Sequence, residues 1–268
     1  MTRPCVLVFA GSDPSGGAGI QADVQAVGAM GAHALTVITA LTVQDNDRVH
    51  EVHPVPAHVM LQQAQVLIDK IDIAAIKIGI VGNAANANII AGVIGALRAR
   101  NPELPVVLDP VLASGHGDAL AHDNPIQMLT PLLPLATLLT PNLPEAAALA
   151  EGEQHIDDQV NALLHCGCQH ILLKGGHDVG PQVINRWYTA GASRVWRFER
   201  LPGTFHGSGC TLASAAAGAL ALGMPMEQGL DTAQAFCHQA LQESFAIADG
   251  QRIPFRSFAW NTTVRSVR

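Results

Sequence analysis

The chain has 268 residues, 49% of them hydrophobic and only 14% charged, which excludes an intrinsically disordered protein and leaves ample material for a core. Fifteen basic against 22 acidic residues give a formal charge of −7, and no basic stripe interleaved with aromatics occurs, which argues against a nucleic-acid-binding surface. Aromatics make up 4%, so the apolar mass is aliphatic and suits parallel strands covered on both faces by helices.

In chain order, Val6 to Phe9 reads as a buried strand, followed by a glycine-rich turn and a helix from Gly17 to Met30 that stops at Gly31. A strand is expected around Leu35 to Thr39. The polar stretch Thr42 to Pro56, with alternating Val49, Val52 and Val55, reads as a hairpin or a small flap at the sheet edge. Ala57 to Asp69 has helical spacing, Ala75 to Ile80 that of a strand, and Ala84 to Arg100 that of a helix. The strand Pro105 to Leu108 runs into Asp109-Pro110, and Asn124-Pro125 marks a helix start with proline in its first turn. Thr137 to Leu139 and Ile171 to Lys174 are further short strands. Val183 to Thr189 and Arg194 to Phe198 alternate like an antiparallel pair, and two Ala-rich helices are expected at Ser208 to Leu222 and Met226 to Ala248. This alternation predicts an α/β protein: three αβα layers, a mostly parallel, doubly wound sheet, and one domain over 1–268.

The N-terminal apolar stretch is too short for a signal peptide, and no apolar run approaches the roughly 18 residues of a spanning helix. Five cysteines, an odd number without a CxxC pair, do not form a disulfide framework, and a reducing cytoplasm is the expected compartment. The 12 histidines lack HExxH spacing, which argues against catalytic zinc.

In open α/β sheets ligands bind beyond the carboxyl ends of the strands, so the residues there carry the chemistry. Gly11-Ser12-Asp13-Pro14-Ser15-Gly16-Gly17-Ala18-Gly19 follows the first strand. It matches neither a Walker A loop nor GxGxxG, but it lets a ligand approach the backbone at a helix start. Asp23, an i,i+4 step from Gly19, is placed to point back toward that loop. Asn142-Leu143-Pro144-Glu145 reads equally as a capping box and as a site for a hydrated Mg²⁺. Gly207-Ser208-Gly209-Cys210-Thr211 opens a long helix, where free amides favour an anion and the dipole favours a Cys210 thiolate. Lys174, before Gly175-Gly176, and Asp109, before Pro110, end strands where phosphate and metal are met.

Taken together these segments resemble the hydroxymethylpyrimidine/phosphomethylpyrimidine kinase family of the ribokinase-like superfamily, from Val6 to about Ala248. Besides the turns above, the resemblance rests on Val37 to Gln44, Ile76 to Ile80, Leu139 to Ala146, Leu173 to His177 and His206 to Leu212. It implies an ATP-dependent kinase of thiamine diphosphate biosynthesis that phosphorylates 4-amino-5-hydroxymethyl-2-methylpyrimidine and then its monophosphate. Gln44 and Asp23 are then expected on the pyrimidine, in a pocket walled by Gly11, Ala18 and Ile80. Asp109, Asn142, Glu145, Lys174 and Thr211 are expected around the nucleotide phosphates, with Mg²⁺ held by Asp109, Asn142 and Glu145 directly or through water. Gly207, Ser208, Gly209 and Cys210 are expected to form the anion hole, with Cys210 as the base. A homodimer is implied by the resemblance alone.

Three departures stand out. Where relatives carry a Lys-Ser-Gly-Asp-like stretch, this chain reads Ala113-Ser114-Gly115-His116-Gly117-Asp118, without the lysine charge. Ile80 replaces methionine at the pocket wall, and Ser208 replaces threonine. A pyridoxal or pyridoxine kinase is the nearest alternative, since both substrates are flat heterocycles with a hydroxymethyl arm. A catalytically idle heterocycle-binding relative is the other.

Overall fold

The computed structural model describes residues 2–118, 120 and 123–257. Strand β1 (Cys5–Ser12) buries both of its faces. Leu7 and Phe9 pack on one side of the sheet, and Val6, Val8 and Ala10 on the other. A strand apolar on both sides demands helices above and below, and two separate cores result. On one face α1 (Gly19–Ala29), α7 (Ser208–Ala221) and α8 (Met226–Gln242) bury Val27, Ala216 and Phe236. On the other face α2 (Ala57–Ile68), α3 (Ala84–Arg98), α4 (Pro125–Leu129), α5 (Leu143–Leu149) and α6 (Ile156–His165) bury Met60, Ile90, Met128, Leu149 and Leu163.

Between the layers, the described residues form one nine-stranded sheet of order β3-β2-β1-β4-β5-β6-β7-β8-β9. The central strands β2 (His33–Gln44), β1, β4 (Ile73–Ile78), β5 (Val106–Leu108), β6 (Leu138–Leu139) and β7 (His170–Leu173) are parallel. The edges β3 (Val49–Pro54), β8 (Gln182–Thr189) and β9 (Ala192–Glu199) are antiparallel. The chain leaves β1 toward β2 but leaves β4 toward β5, so the connections diverge between β1 and β4. A crevice opens at such a point, and the turn after β1 and Gly79-Ile80 after β4 flank it.

The expected αβα architecture is therefore present, with two differences in the elements. Of the two readings offered for 42–56, hairpin or flap, the hairpin is present, integral to the sheet edge. Thr42 lies within β2 and pairs with Val52, so the main-chain ladder carries β2 five residues past Thr39. The last helix ends at Gln242 rather than Ala248, because the chain turns back and Phe245 pairs with Ile253. The α6 helix has no counterpart in the sequence reading. Its amphipathic pattern is short, and it carries two adjacent aspartates in the first turn.

Candidate active site

Local sequence chemistry sets each wall of the site. After β1, the Asp13 carboxylate takes the amides of Ser15 (2.8 Å) and Ala18 (2.7 Å), folding the glycine-rich turn back over its own carboxylate. His206 contacts the same group, at 2.9 Å. Burial opposes the Asp13 charge, but His206 and these donors overcome it and hold the carboxyl below its usual value.

At the start of α5, Asn142 Oδ1 accepts from the Glu145 amide and Glu145 Oε2 accepts from the Asn142 amide, both at 2.8 Å. The capping box is thus formed in full, and it aims the Glu145 carboxylate at Lys174, whose Nζ lies 3.9 Å away. Lys174 Nζ also donates to Asp109 Oδ1 at 2.7 Å, and the Thr140 hydroxyl donates to that oxygen at 3.1 Å. Burial raises the Glu145 carboxyl, assisted by Asp109 and opposed by Lys174. The same burial works against the Lys174 charge, yet Asp109 and Glu145 more than restore it, so the ammonium is firmly protonated.

The start of α7 lies opposite. Gly207 adopts φ 77°, and a Cβ there would stand 2.1 Å from the Gly17 carbonyl oxygen, so only glycine fits where the two turns cross. A Cβ on Gly209 would reach within 3.2 Å of Lys174 Nζ and 3.6 Å of Asp109 Oδ2. The amides opening α7 lack partners inside the helix, and the gap left by the missing Gly209 side chain lies beside a lysine and a carboxylate.

Two clefts meet at this point. One, of about 230 Å³, is lined by Gly11, Ala18, Gln44, Ile80, Asp109 and Cys210 among others. The second, of about 470 Å³, extends along Val183, Asn185, Phe198 and His238. Lys174, Ser208 and Gly209 line both. The fold thus brings Gly11, Ala18, Gln44 and Ile80 to one cavity, together with Asp109, Asn142, Glu145, Lys174 and the turn Gly207 to Cys210.

Two expected placements and one expected charge state do not fit this geometry. Asp23, placed on the heterocycle by resemblance, is fully buried; both its oxygens accept from Lys77 Nζ at 2.9 Å and one accepts from the Ser214 hydroxyl at 2.6 Å. Burial raises the Asp23 carboxyl; it also opposes the Lys77 charge, but the Asp23 pairing prevails and raises Lys77. Thr211, expected at the phosphates, is fully buried, and its hydroxyl donates to the Gly207 carbonyl at 2.8 Å. Cys210, expected as a thiolate, is pushed up to about 11 by burial, which outweighs the Lys77 charge and the Gly19 amide. The helix dipole falls off within a turn and does not offset the loss of water.

Sequence reasoning missed Lys77, although it lies in the quoted Ile76 to Ile80 segment. A charged residue in the middle of an otherwise apolar buried strand was the available signal. It also missed Arg48, Val49 and Gln251 at the mouth of the first cleft. Arg48 Nε lies 3.1 Å from Asp118 Oδ2, joining the β2–β3 turn to the segment after β5.

Among the described residues no helix is long and apolar enough to cross a membrane. A family model described as phosphomethylpyrimidine kinase matches residues 13–254. The hydroxymethylpyrimidine/phosphomethylpyrimidine kinase of Mycobacterium bovis is 38% identical over 258 residues, covering 93% of this chain and 92% of the relative. The enzyme of that name from Salmonella typhimurium is 36% identical, covering 97% and 100%. Among solved structures, an ADP complex of Bacillus subtilis pyridoxal kinase superposes with TM-score 0.82 at 28% identity, covering 96% and 98%. Phosphomethylpyrimidine kinase from Clostridium difficile gives 0.76 at 31%, covering 89% and 100%. With the conjoined clefts already in view, these matches over nearly the full length establish that the chain is a phosphotransferase of ribokinase-like fold and belongs to the phosphomethylpyrimidine kinase family.

Proposed function

We propose that this single-domain protein transfers the γ-phosphoryl group of ATP to 4-amino-5-hydroxymethyl-2-methylpyrimidine and then to its monophosphate, in thiamine diphosphate biosynthesis. The observation that carries this reading is the meeting of the two clefts at Lys174, Ser208 and Gly209. A flat ring seated between Gly11, Ala18, Gln44 and Ile80 directs its hydroxymethyl arm toward that junction. A nucleotide in the larger cleft brings its terminal phosphate to the same place.

Phosphoryl transfer passes through a loose transition state, so positioning and charge neutralisation supply most of the acceleration. Lys174 provides a fixed cation, and the amides of Gly207 to Cys210 face the migrating group. Mg²⁺ suits the hard oxygens of Asp109 and Glu145, with Asn142 beside them. Because Lys174 and the cap already occupy one oxygen of each carboxylate, these residues would hold the ion through its waters. When bound, it screens the phosphate charge.

The first acceptor is an alcohol and must lose a proton. Cys210 rests as a neutral thiol, so it serves as base only in the minor thiolate form, after its own proton has gone to solvent; that thiolate takes the hydroxyl proton late, when bonding to phosphorus has made it acidic. The second acceptor is an ionised monoester and needs no base. Between the β2–β3 turn and the 113–118 segment, the Arg48–Asp118 and His116–Asp47 contacts narrow the cleft mouth and limit water entry. A homodimer and a cytoplasmic location accompany this reading through the family resemblance.

The second reading, a pyridoxal kinase, is favoured by one observation. Staphylococcus aureus pyridoxal kinase superposes with TM-score 0.85, above the phosphomethylpyrimidine kinase structure. Incubation with ATP, Mg²⁺ and each heterocycle in turn, with product identification by mass, separates the two. Successive mono- and diphosphate products from the hydroxymethylpyrimidine are expected. Turnover of pyridoxal alone would replace the first reading with the second, and binding without ATP consumption would point to an idle relative.

A further inference from the structure

Arg256 lies beyond the last residue matched by the family model, yet it is one of the most deeply buried charged groups in the protein, 2% exposed. Burying a guanidinium demands partners for its fork of donors. Its Nε donates to the Thr211 hydroxyl at 2.7 Å. Its Nη2 donates to the Gly17 carbonyl at 2.6 Å and, more weakly, to the Gly207 carbonyl at 3.5 Å. Nη1 reaches Gln25 Oε1 at 3.4 Å. None of these partners is a carboxylate.

Those partners belong to two separate turns. Gly17 lies in the loop after β1, which walls the smaller cleft. Gly207 and Thr211 belong to the start of α7, where Gly209 lies against Lys174. The turns touch where the Gly207 α-carbon leaves no room for a side chain beside the Gly17 carbonyl. Arg256 lies under that crossing and ties both strands of it to one rigid plane. The tail that carries it is itself fixed: the Arg252 amide donates to the Thr204 carbonyl, and the Phe255 amide to the Ala240 carbonyl.

We infer that Arg256 is a positioning residue for phosphoryl transfer, clamping the loop after β1 to the start of α7 so that acceptor and anion hole keep one fixed separation. The inference rests on the kinase reading above. Lysine cannot reproduce the clamp, because an ammonium is a point donor on a flexible stem and lacks a planar fork spanning a hydroxyl and two carbonyls. Arg256 touches neither cleft, so its loss acts through the backbone of the turns.

The test compares wild type with Arg256→Met and, as a variant that keeps the buried charge, Arg256→Lys. Steady-state kinetics, ADP affinity with and without aluminium fluoride, and rescue by added guanidinium ion are measured. For both variants kcat is expected to fall by roughly 10- to 100-fold, the scale of an ångström-level misplacement. ADP affinity alone stays within about twofold, while the tightening that aluminium fluoride confers on wild type is lost. Guanidinium restores part of kcat in Arg256→Met. A variant with wild-type kcat and an intact fluoride effect, lowered only in melting temperature, overturns the inference, as does Arg256→Lys with full activity. Wild-type protein that turns over no heterocycle overturns the kinase reading itself, which separates the two failures.

Discussion

At Cys210 the competition between helix dipole and burial is decided by magnitude. A dipole contributes under about 1 kcal/mol at an ordinary helix start, whereas removing water from a thiolate costs several times that. With its thiol pushed up to about 11, the base form gains about tenfold per pH unit below that value. The rate of alcohol phosphorylation is therefore expected to climb with pH from neutrality, without a plateau, while phosphomonoester phosphorylation lacks that climb. Cys210→Ala should abolish the climb and impair the alcohol step more than the monoester step; equal losses in parallel pH–rate profiles would remove the base role. Asp23 makes the opposite case, a residue whose expected ligand role is taken by a structural one. Asp23→Asn strands the Lys77 ammonium in the core and should cost about 3–5 kcal/mol in chemical unfolding. Unpaired, Lys77 falls in pKa, so the folded state binds fewer protons than the unfolded one and the variant's stability rises with pH. An Asp23→Asn protein of native stability but weakened pyrimidine binding would return Asp23 to the ring.

Helix starts do the functional work at the scale of elements. The Asn142–Glu145 box shows that cap and site are not competing descriptions, because the hydrogen bonds that close the cap also aim the carboxylate. The α7 start depends instead on absent side chains. Gly209→Ala gains helix propensity worth up to about 1 kcal/mol but places a methyl 3.2 Å from Lys174 Nζ. We expect stability by thermal melting to hold or improve while kcat drops by roughly 10- to 100-fold through displacement of the lysine. Unchanged turnover would show that the gap beside Lys174 is not used.

Across the whole molecule, the smaller cleft is closed by segments far apart in sequence. Asp118 takes Arg48 Nε and the Val49 amide, each at 3.1 Å, while Asn46 Nδ2 donates to the carbonyls of Asp249 and Gln251. Arg48 holds the Asp118 carboxyl well below the usual range, so this link stays ionised through mild acid. Asp118→Asn keeps the shape but weakens the link. It is expected to raise the KM for the heterocycle and to increase ATP hydrolysis without acceptor, and a coupled ADP-release assay showing neither would exclude a role in closing the mouth.

The amino-acid sequence by itself determined the layered fold, because β1 is apolar on both faces and can be satisfied only between helices. It also indicated which strand ends line the smaller cleft: Gly11, Asp109, Asn142, Lys174 and Gly207 were all legible, since local rules about turns, caps and glycine act over a few residues. Tertiary structure alone decided what Asp23, Thr211 and Cys210 do, because burial and pairing across 54 residues to Lys77, or 45 to Arg256, leave no local pattern. A charge in a buried strand or tail signals that a partner exists without saying where. Only the folded chain, by removing water from both groups at once, selects which one it is.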